Sequence, residues 1–239
     1  MVKLSQNFLT DAKTVDFIIE KAALSPEDTV LEIGPGHGII TNEIRKFSKV
    51  VAVEKDRELA REVEDLFPKI KVISGDILKV KLPRFNKIIS NVPFEISSPL
   101  LGKMVDWEWE EAILIFQKEF GERFFLKPGE KKYSRLSVFI SYYYEVKRLG
   151  EIPRAKFSPR PKVDGIIVRV RKKKIPFPTD KKFWDLVNSL FRHKRKIVRG
   201  ALKVEKFSDE QLKSLNDLGQ LRVNNLTLNN IKGIYDALS

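Results

Sequence analysis

Short, mostly apolar runs recur along the first half of the chain, separated by spans of helical spacing. Thr29-Val30-Leu31-Glu32-Ile33, Val50 to Val53, Ile70 to Ile73, Lys87 to Ser90 and Ala112 to Phe116 are each four or five residues long. Runs this short and this rich in Val and Ile predict strands buried on both faces. Between them, Val15, Ile18, Ile19 and Ala22 mark one face of a helix within Asp11 to Ala23, and Ile39 to Phe47 marks a second. A third follows Asp56, which can cap it, and stops near Phe67 at Pro68. Ser98-Pro99 opens a fourth, with proline at the first helical position. Strand and helix in alternation predict an α/β fold whose sheet is mostly parallel.

Two later runs, Leu136 to Tyr144 and Gly165 to Val170, have no helical pattern between them. They are expected to pair as an antiparallel hairpin at one sheet edge, joined by the proline-punctuated loop through Phe157-Ser158-Pro159-Arg160-Pro161. After Arg171 to Lys174 and Pro176-Phe177-Pro178 the pattern turns helical: Phe183 to Phe191, Ser208 to Leu215 and Thr227 to Leu238. Ser208 with Gln211 forms a capping box, and Ile231, Ile234, Tyr235 and Leu238 share one face. The expected division is an α/β domain over 1–172 and a small all-α domain over 173–239.

Composition narrows the functional classes. The 42% hydrophobic and 32% charged content is that of a soluble globular protein. No apolar run approaches the roughly 18 residues of a membrane span, and Met1 to Ser5 opens no secretory signal. A cytoplasmic location is therefore expected. The absence of cysteine excludes disulfides, thiolate metal sites and a cysteine nucleophile, and His37 and His193 are too few and too distant for a metal cluster. The net charge is +13, and Arg160 to Lys206 alone holds 16 Lys/Arg against 4 Asp/Glu. A dispersed excess would be a solubility feature; one concentrated in a single segment predicts a nucleic-acid footprint.

Candidate chemistry clusters at strand ends. Gly34-Pro35-Gly36-His37-Gly38 sits between a strand and a helix, where the backbone can approach a ligand closely. Glu54, twenty positions after Gly34, ends the second strand, where a carboxylate can accept both ribose hydroxyls. Both facts fit a dinucleotide or S-adenosylmethionine; the G-x-G-x-G spacing departs from the dinucleotide fingerprint. Asp76, past the third strand, is placed to accept an adenine amino group. The fourth strand runs into Asn91-Val92-Pro93-Phe94. The Asn91 side chain and a carbonyl at Val92 or Pro93 can accept the hydrogens of a planar amine, and Phe94 can stack on its ring.

With these residues assembled, the chain resembles the adenine dimethyltransferases of small-subunit ribosomal RNA, in an archaeal-type form. Gln6-Asn7-Phe8-Leu9 is similar to that family's amino-terminal signature, Glu32 to Gly38 to its glycine turn, and Asn91-Val92-Pro93-Phe94-Glu95-Ile96-Ser97-Ser98-Pro99 to its N-L-P-Y-x-I-S-S-P loop. Phe157 to Val163 resembles its F-x-P-x-P-K-V loop, and Phe191 to Lys196 its basic helix. The resemblance implies a Rossmann-like methyltransferase domain followed by a small helical domain that contacts RNA. It implies dimethylation of two adjacent adenosines near the 3′ end of small-subunit RNA during subunit assembly, by a monomer. S-adenosylmethionine would be held by Gln6, Asn7, Leu9, Gly34, Gly36, Gly38, Glu54, Lys55, Asp76, Ile77 and Asn91. Asn91, Pro93 and Phe94 would form the catalytic loop. Phe94 and Phe157 would hold the base, with Arg160, Lys162, Arg192, Lys194, Arg195, Lys196 and Arg199 on the RNA. Ser5, Val92 and Phe94 stand where the family more often has glycine, leucine and tyrosine. Three other readings compete: the related enzymes that dimethylate large-subunit RNA, an RNA-binding assembly or transcription factor on the same fold without catalysis, and, as a distant third disfavoured by the glycine spacing, a nicotinamide-dependent dehydrogenase.

Overall fold

The computed structural model describes residues 7–238. In chain order its elements begin with β1 (Phe8–Leu9), α1 (Ala12–Ala22), β2 (Thr29–Ile33), α2 (Ile39–Ile44), β3 (Lys49–Glu54), α3 (Arg57–Leu66), β4 (Lys71–Ser74) and β5 (Lys87–Asn91). They continue with α4 (Ser97–Lys103), β6 (Glu111–Gln117), α5 (Lys118–Glu122), α6 (Arg135–Tyr143), β7 (Tyr144–Ile152), β8 (Phe157–Ser158) and β9 (Gly165–Lys172). The remainder is helical: α7 (Lys181–Arg192), α8 (Val198–Val204), α9 (Asp209–Ser214) and α10 (Leu228–Leu238).

Seven strands form one sheet in the order β4-β3-β2-β5-β6-β9-β7, while β1 and β8 pair separately. The pairs from β4 through β6 are parallel, and β9 runs antiparallel to β6. From β2 the chain winds outward through β3 and β4, then returns to the other side of β2 as β5. That reversal is the topological switch point of an open α/β sheet, where ligands sit at the carboxyl ends of the strands. It sets the end of β2, leading into Gly34, beside the end of β5, which is Asn91. The Ser90 hydroxyl ties the two strands by donating to the Ile33 carbonyl at 2.6 Å. Val30, Ile89, Ile113 and Ile115 are buried with α1 residues Val15 and Ile18 in the core of this half.

Two compact units result. The first holds the chain through Gly121 and again Glu145–Lys172; the second holds Glu122–Tyr144 and everything from Lys173 onward. The expected division between 172 and 173 therefore leaves out an inserted segment, 122–144, that belongs with the helices. Its central element is also a correction: Leu136 to Tyr144 is not a strand but α6, and the edge strand begins only at Tyr144. The physical reason is aromatic packing. Tyr142 is fully buried among Phe177, Phe183 and Trp184, and Phe139 and Tyr143 also contact Trp184. A helix apolar on nearly every side carries no periodic signature to separate it from a buried strand. The true edge strand β7 is mostly polar and half-exposed, which is how sheet edges are protected from further pairing. A further helix, α8, goes beyond the sequence expectation, although Val198, Ala201 and Leu202 follow helical spacing and are fully buried.

Candidate active site

The glycine turn is a backbone device. Gly34 and Gly36 lie at φ +67° and +58°, in the left-handed region that side-chain-bearing residues avoid. A Cβ on Gly36 would fall 2.5 Å from the Phe8 ring, and one on Gly34 would fall 3.2 Å from Pro93. The missing side chains thus let the amino-terminal segment and the Asn91 loop close onto the turn. Glu54 at the end of β3 is buried, yet its carboxylate accepts the Gly36 N–H at 3.3 Å and the Asp56 N–H at 3.0 Å. Burial raises its pKa, partly offset by those backbone N–H groups. Behind the turn, Glu32 is 2% exposed and accepts the Thr41 hydroxyl at 2.6 Å. Burial pushes the Glu32 carboxyl up to about 8, with the Glu54 carboxylate adding to the rise and the Thr41 bond opposing it.

Asn91 is held in one orientation. Its Nδ2 donates to the Asn7 carbonyl at 2.9 Å, and a carbonyl only accepts, so the amide oxygen must face the other way. That oxygen, Oδ1, is buried with no hydrogen-bond partner among the described residues. Leaving a buried acceptor unpaired costs about 1–3 kcal/mol, which a fold tolerates where the group has other work. The following loop is fixed as well: the Pro93 carbonyl accepts the Ile96 N–H at 3.1 Å, and the Phe94 carbonyl accepts the Ser97 hydroxyl at 3.0 Å. Phe94 opens a single 3-10 turn, Phe94–Ile96, with its ring half-buried on a cavity wall. The same cavity is lined by Asn7, Gly34, Glu54, Asp76 and Asn91.

The pattern of the ribosomal RNA adenine dimethylase family matches residues 2–238. This chain belongs to that family. It is 43% identical over 206 residues to a Thermococcus kodakarensis protein named "Probable ribosomal RNA small subunit methyltransferase A", covering 84% of this chain and 72% of that protein. Among solved structures, a dimethyladenosine transferase from Plasmodium falciparum is similar with a TM-score of 0.83 at 28% identity, covering 95% of each chain. The 23S rRNA methyltransferase ErmE is similar at 0.70 and 26% identity, covering 97% of this chain and 99% of that one.

Set beside the family's motifs, the sequence-predicted residues fall into three groups. Asn7, Gly34, Glu54, Lys55, Asp76, Ile77, Asn91, Pro93 and Phe94 all line this same cavity. Gly36 and Gly38 shape the turn without lining it, and Leu9 is buried in the core at 3% exposure. Gln6 lies outside the described residues. Phe157 is a correction: it is 4% exposed, pairs opposite Leu9 in the β1–β8 ribbon and packs in the core rather than on the cavity. The loop motif signals the aromatic but not which way its ring turns.

The basic segment also divides. Arg160 and Lys162 are exposed on the first unit, whereas Arg169 and Arg171 pair with Glu111 within the sheet. Phe191 to Lys196 is not a continuous basic helix: α7 ends at Arg192, and Lys194 to Lys196 form a turn. There Arg192 pairs with Glu205 at 2.8 Å, and Arg199 donates to the Leu212 and Asn216 carbonyls. Arg195 and Lys196 are exposed, and their side chains make no hydrogen bond or ion pair among the described residues. Phe8 is a cavity residue to which the sequence reading gives no role. It packs against His37 with ring centroids 4.5 Å apart, and His37 Nδ1 lies 2.9 Å from Glu62. Its position between Asn7 and Leu9 is the available signal.

Proposed function

We propose that this chain transfers methyl groups from S-adenosylmethionine to the exocyclic amino groups of two adjacent adenosines near the 3′ end of small-subunit ribosomal RNA, acting as a cytoplasmic monomer on immature subunits. The observation that carries the reading is Asn91 Oδ1, buried and without a hydrogen-bond partner among the described residues, on a side chain that lines the same cavity as Phe94. The donor set fits the cofactor: a turn open only to glycine, a carboxylate at the end of β3 and a second acid, Asp76, after β4. Glu54 would hold the ribose hydroxyls and Asp76 the adenine amino group, with Asn7, Gly34, Lys55 and Ile77 completing the walls. When bound, S-adenosylmethionine supplies an electrophilic methyl group on a sulfonium sulfur.

The chain's own work is then positional. An adenine amino nitrogen is a weak nucleophile because its lone pair is delocalised into the ring. Asn91 Oδ1 accepts one of its hydrogens, and the free lone pair of the Pro93 carbonyl accepts the other, favouring a pyramidal nitrogen. No strong base is needed, because the fixed dipoles are set before the base arrives. The new N–C bond forms as the sulfonium S–C bond breaks to leave a neutral thioether, and the methylated, cationic nitrogen sheds one hydrogen as a proton to water. The single hydrogen it keeps is again held by Asn91 Oδ1, so the same geometry serves the second transfer. Phe94 stacks on the adenine, which must leave its RNA neighbours to reach the cavity.

Two measurements test these roles. Phe94→Leu is expected to raise the KM for RNA by roughly 10–100-fold, the range of one lost stacking contact, while Phe94→Tyr stays close to the parent. Arg195→Ala with Lys196→Ala is expected to weaken RNA binding and to flatten its salt dependence by one to two in the log–log slope. An unchanged slope would make that turn an ordinary solvated surface.

The likeness to ErmE supports large-subunit RNA as a second reading. Pro35 in the glycine turn and the higher TM-score to a dimethyladenosine transferase favour the small subunit. Labelled methyl transfer to the two subunits, assayed separately with the modified bases mapped, decides between them. Product on large-subunit RNA alone overturns the proposal. A chain that binds RNA and cofactor yet transfers nothing leaves only an assembly factor.

A further inference from the structure

The second unit contains a cavity of about 360 Å³ unrelated to the glycine turn, lined by Ser134, Arg135, Asn188, Phe191, Arg192 and Lys194. It is built where the inserted segment meets the end of α7, so two stretches 53 residues apart supply its walls. Its volume is within the roughly 300–1,000 Å³ typical of small-ligand sites. Its charges are unevenly balanced. Arg192 spends its charge on Glu205 at 2.8 Å. Among the described residues, Arg135 donates only to the neutral Asn188 amide oxygen at 3.1 Å, and Lys194 only to the carbonyls of Lys131 and Tyr133 at 3.2 and 3.5 Å. Two cations with neutral partners therefore face one concavity. Beside them the half-buried Phe191 ring is braced edge-on by Tyr133 at 5.7 Å between centroids.

We infer that this cavity is a second nucleotide-binding site, in which Arg135 and Lys194 hold a backbone phosphate of the RNA and Phe191 packs against the adjoining base or ribose. The inference rests on the RNA reading above and adds Arg135, Asn188 and Phe191, none of which that reading used. The chemistry is that of single-strand recognition: fixed cations on the phosphate and an aromatic face for the base. Arg135 is preorganised for it, because the Asn188 bond orients its guanidinium without neutralising it. Lys194 is likewise held by carbonyls that leave its charge available.

Asn188→Asp tests the site with little steric change. The carboxylate keeps the hydrogen bond to Arg135 but adds a negative charge where the phosphate would lie. Binding of the full chain to immature small-subunit RNA is measured across salt concentrations, with Lys182→Ala as a control. Lys182 is exposed in the first turn of α7, and its replacement removes one charge away from the cavity. Asn188→Asp is expected to bind about tenfold more weakly with a slope shallower by about one, and Lys182→Ala to stay near wild type. If thermal unfolding shows Asn188→Asp to be misfolded, Arg135→Gln takes its place with the same expectation. A variant indistinguishable from Lys182→Ala, in a preparation whose wild type transfers labelled methyl, overturns this site alone. A wild type that transfers no methyl group to RNA overturns the reading beneath it.

Discussion

Asn91→Ala is expected to lower kcat for methyl transfer by roughly 10²–10³-fold, the scale set by removing one preorganised dipole from a reacting centre. RNA affinity should change little, because the exposed cations Arg195 and Lys196 lie in the other unit. Single-turnover transfer of labelled methyl to immature small subunits separates the chemical step from product release. The companion substitution Asn91→Asp sharpens the test. A carboxylate keeps an acceptor at the position of Oδ1 but has no N–H to donate to the Asn7 carbonyl, so the orientation fixed at 2.9 Å is lost. If acceptance alone were enough, Asn91→Asp would retain activity. Because the fixed orientation is lost, Asn91→Asp is expected to fall between wild type and alanine. Parent-level turnover in Asn91→Ala would remove Asn91 from the mechanism altogether.

The same distinction, between which residue is present and which way it faces, separates what is legible in the sequence from what is not. Glu54 and Asn91 are legible because each closes a short apolar run, and run ends in a parallel sheet converge on one edge. Alternation of strand and helix predicts the mostly parallel sheet, and the fold adds its strand order, with β5 returned to the side of β2. Phe157 is legible as a motif but not as a direction, since a loop of prolines carries no period from which to assign faces. α6 resembles a strand in sequence because its burial comes from the aromatic side chains of a unit that resumes thirty residues further along the chain. The convergence of Arg135 on Asn188 is beyond reach for the same reason. The basic excess looks like one footprint in the sequence; the fold spends part of it on Glu111 and Glu205 and leaves Arg195 and Lys196 exposed in the turn after α7.

Glu32 has the second large expected effect, on stability rather than turnover. Its native carboxyl titrates at about 8, against 4.5 ordinarily, chiefly because burial disfavours the charge. Below pH 4.5 both native and unfolded chains hold the proton, and the group contributes no pH dependence. Between 4.5 and about 8 the unfolded chain releases the proton while the native chain keeps it. The native state then binds more protons, so stability falls as pH rises across that window and levels off above it. Each tenfold difference in proton affinity is worth about 1.4 kcal/mol, so the whole effect is on the order of a few kcal/mol. Glu32→Gln keeps the size and can still bond to Thr41, but it has nothing to ionise. The expected result is a variant whose thermal unfolding is much less sensitive to pH between about 5 and 8 and which is more stable than wild type at about pH 8.5. Glu54, also raised by burial, retains its own weaker dependence in that variant, so the slope is reduced rather than abolished. A wild type whose unfolding temperature does not fall from about pH 5 to pH 8 would show that Glu32 is ionised in the native fold. The negative charge behind the glycine turn would then be available to a cationic cofactor, and Glu32→Gln would weaken cofactor binding instead of strengthening the fold.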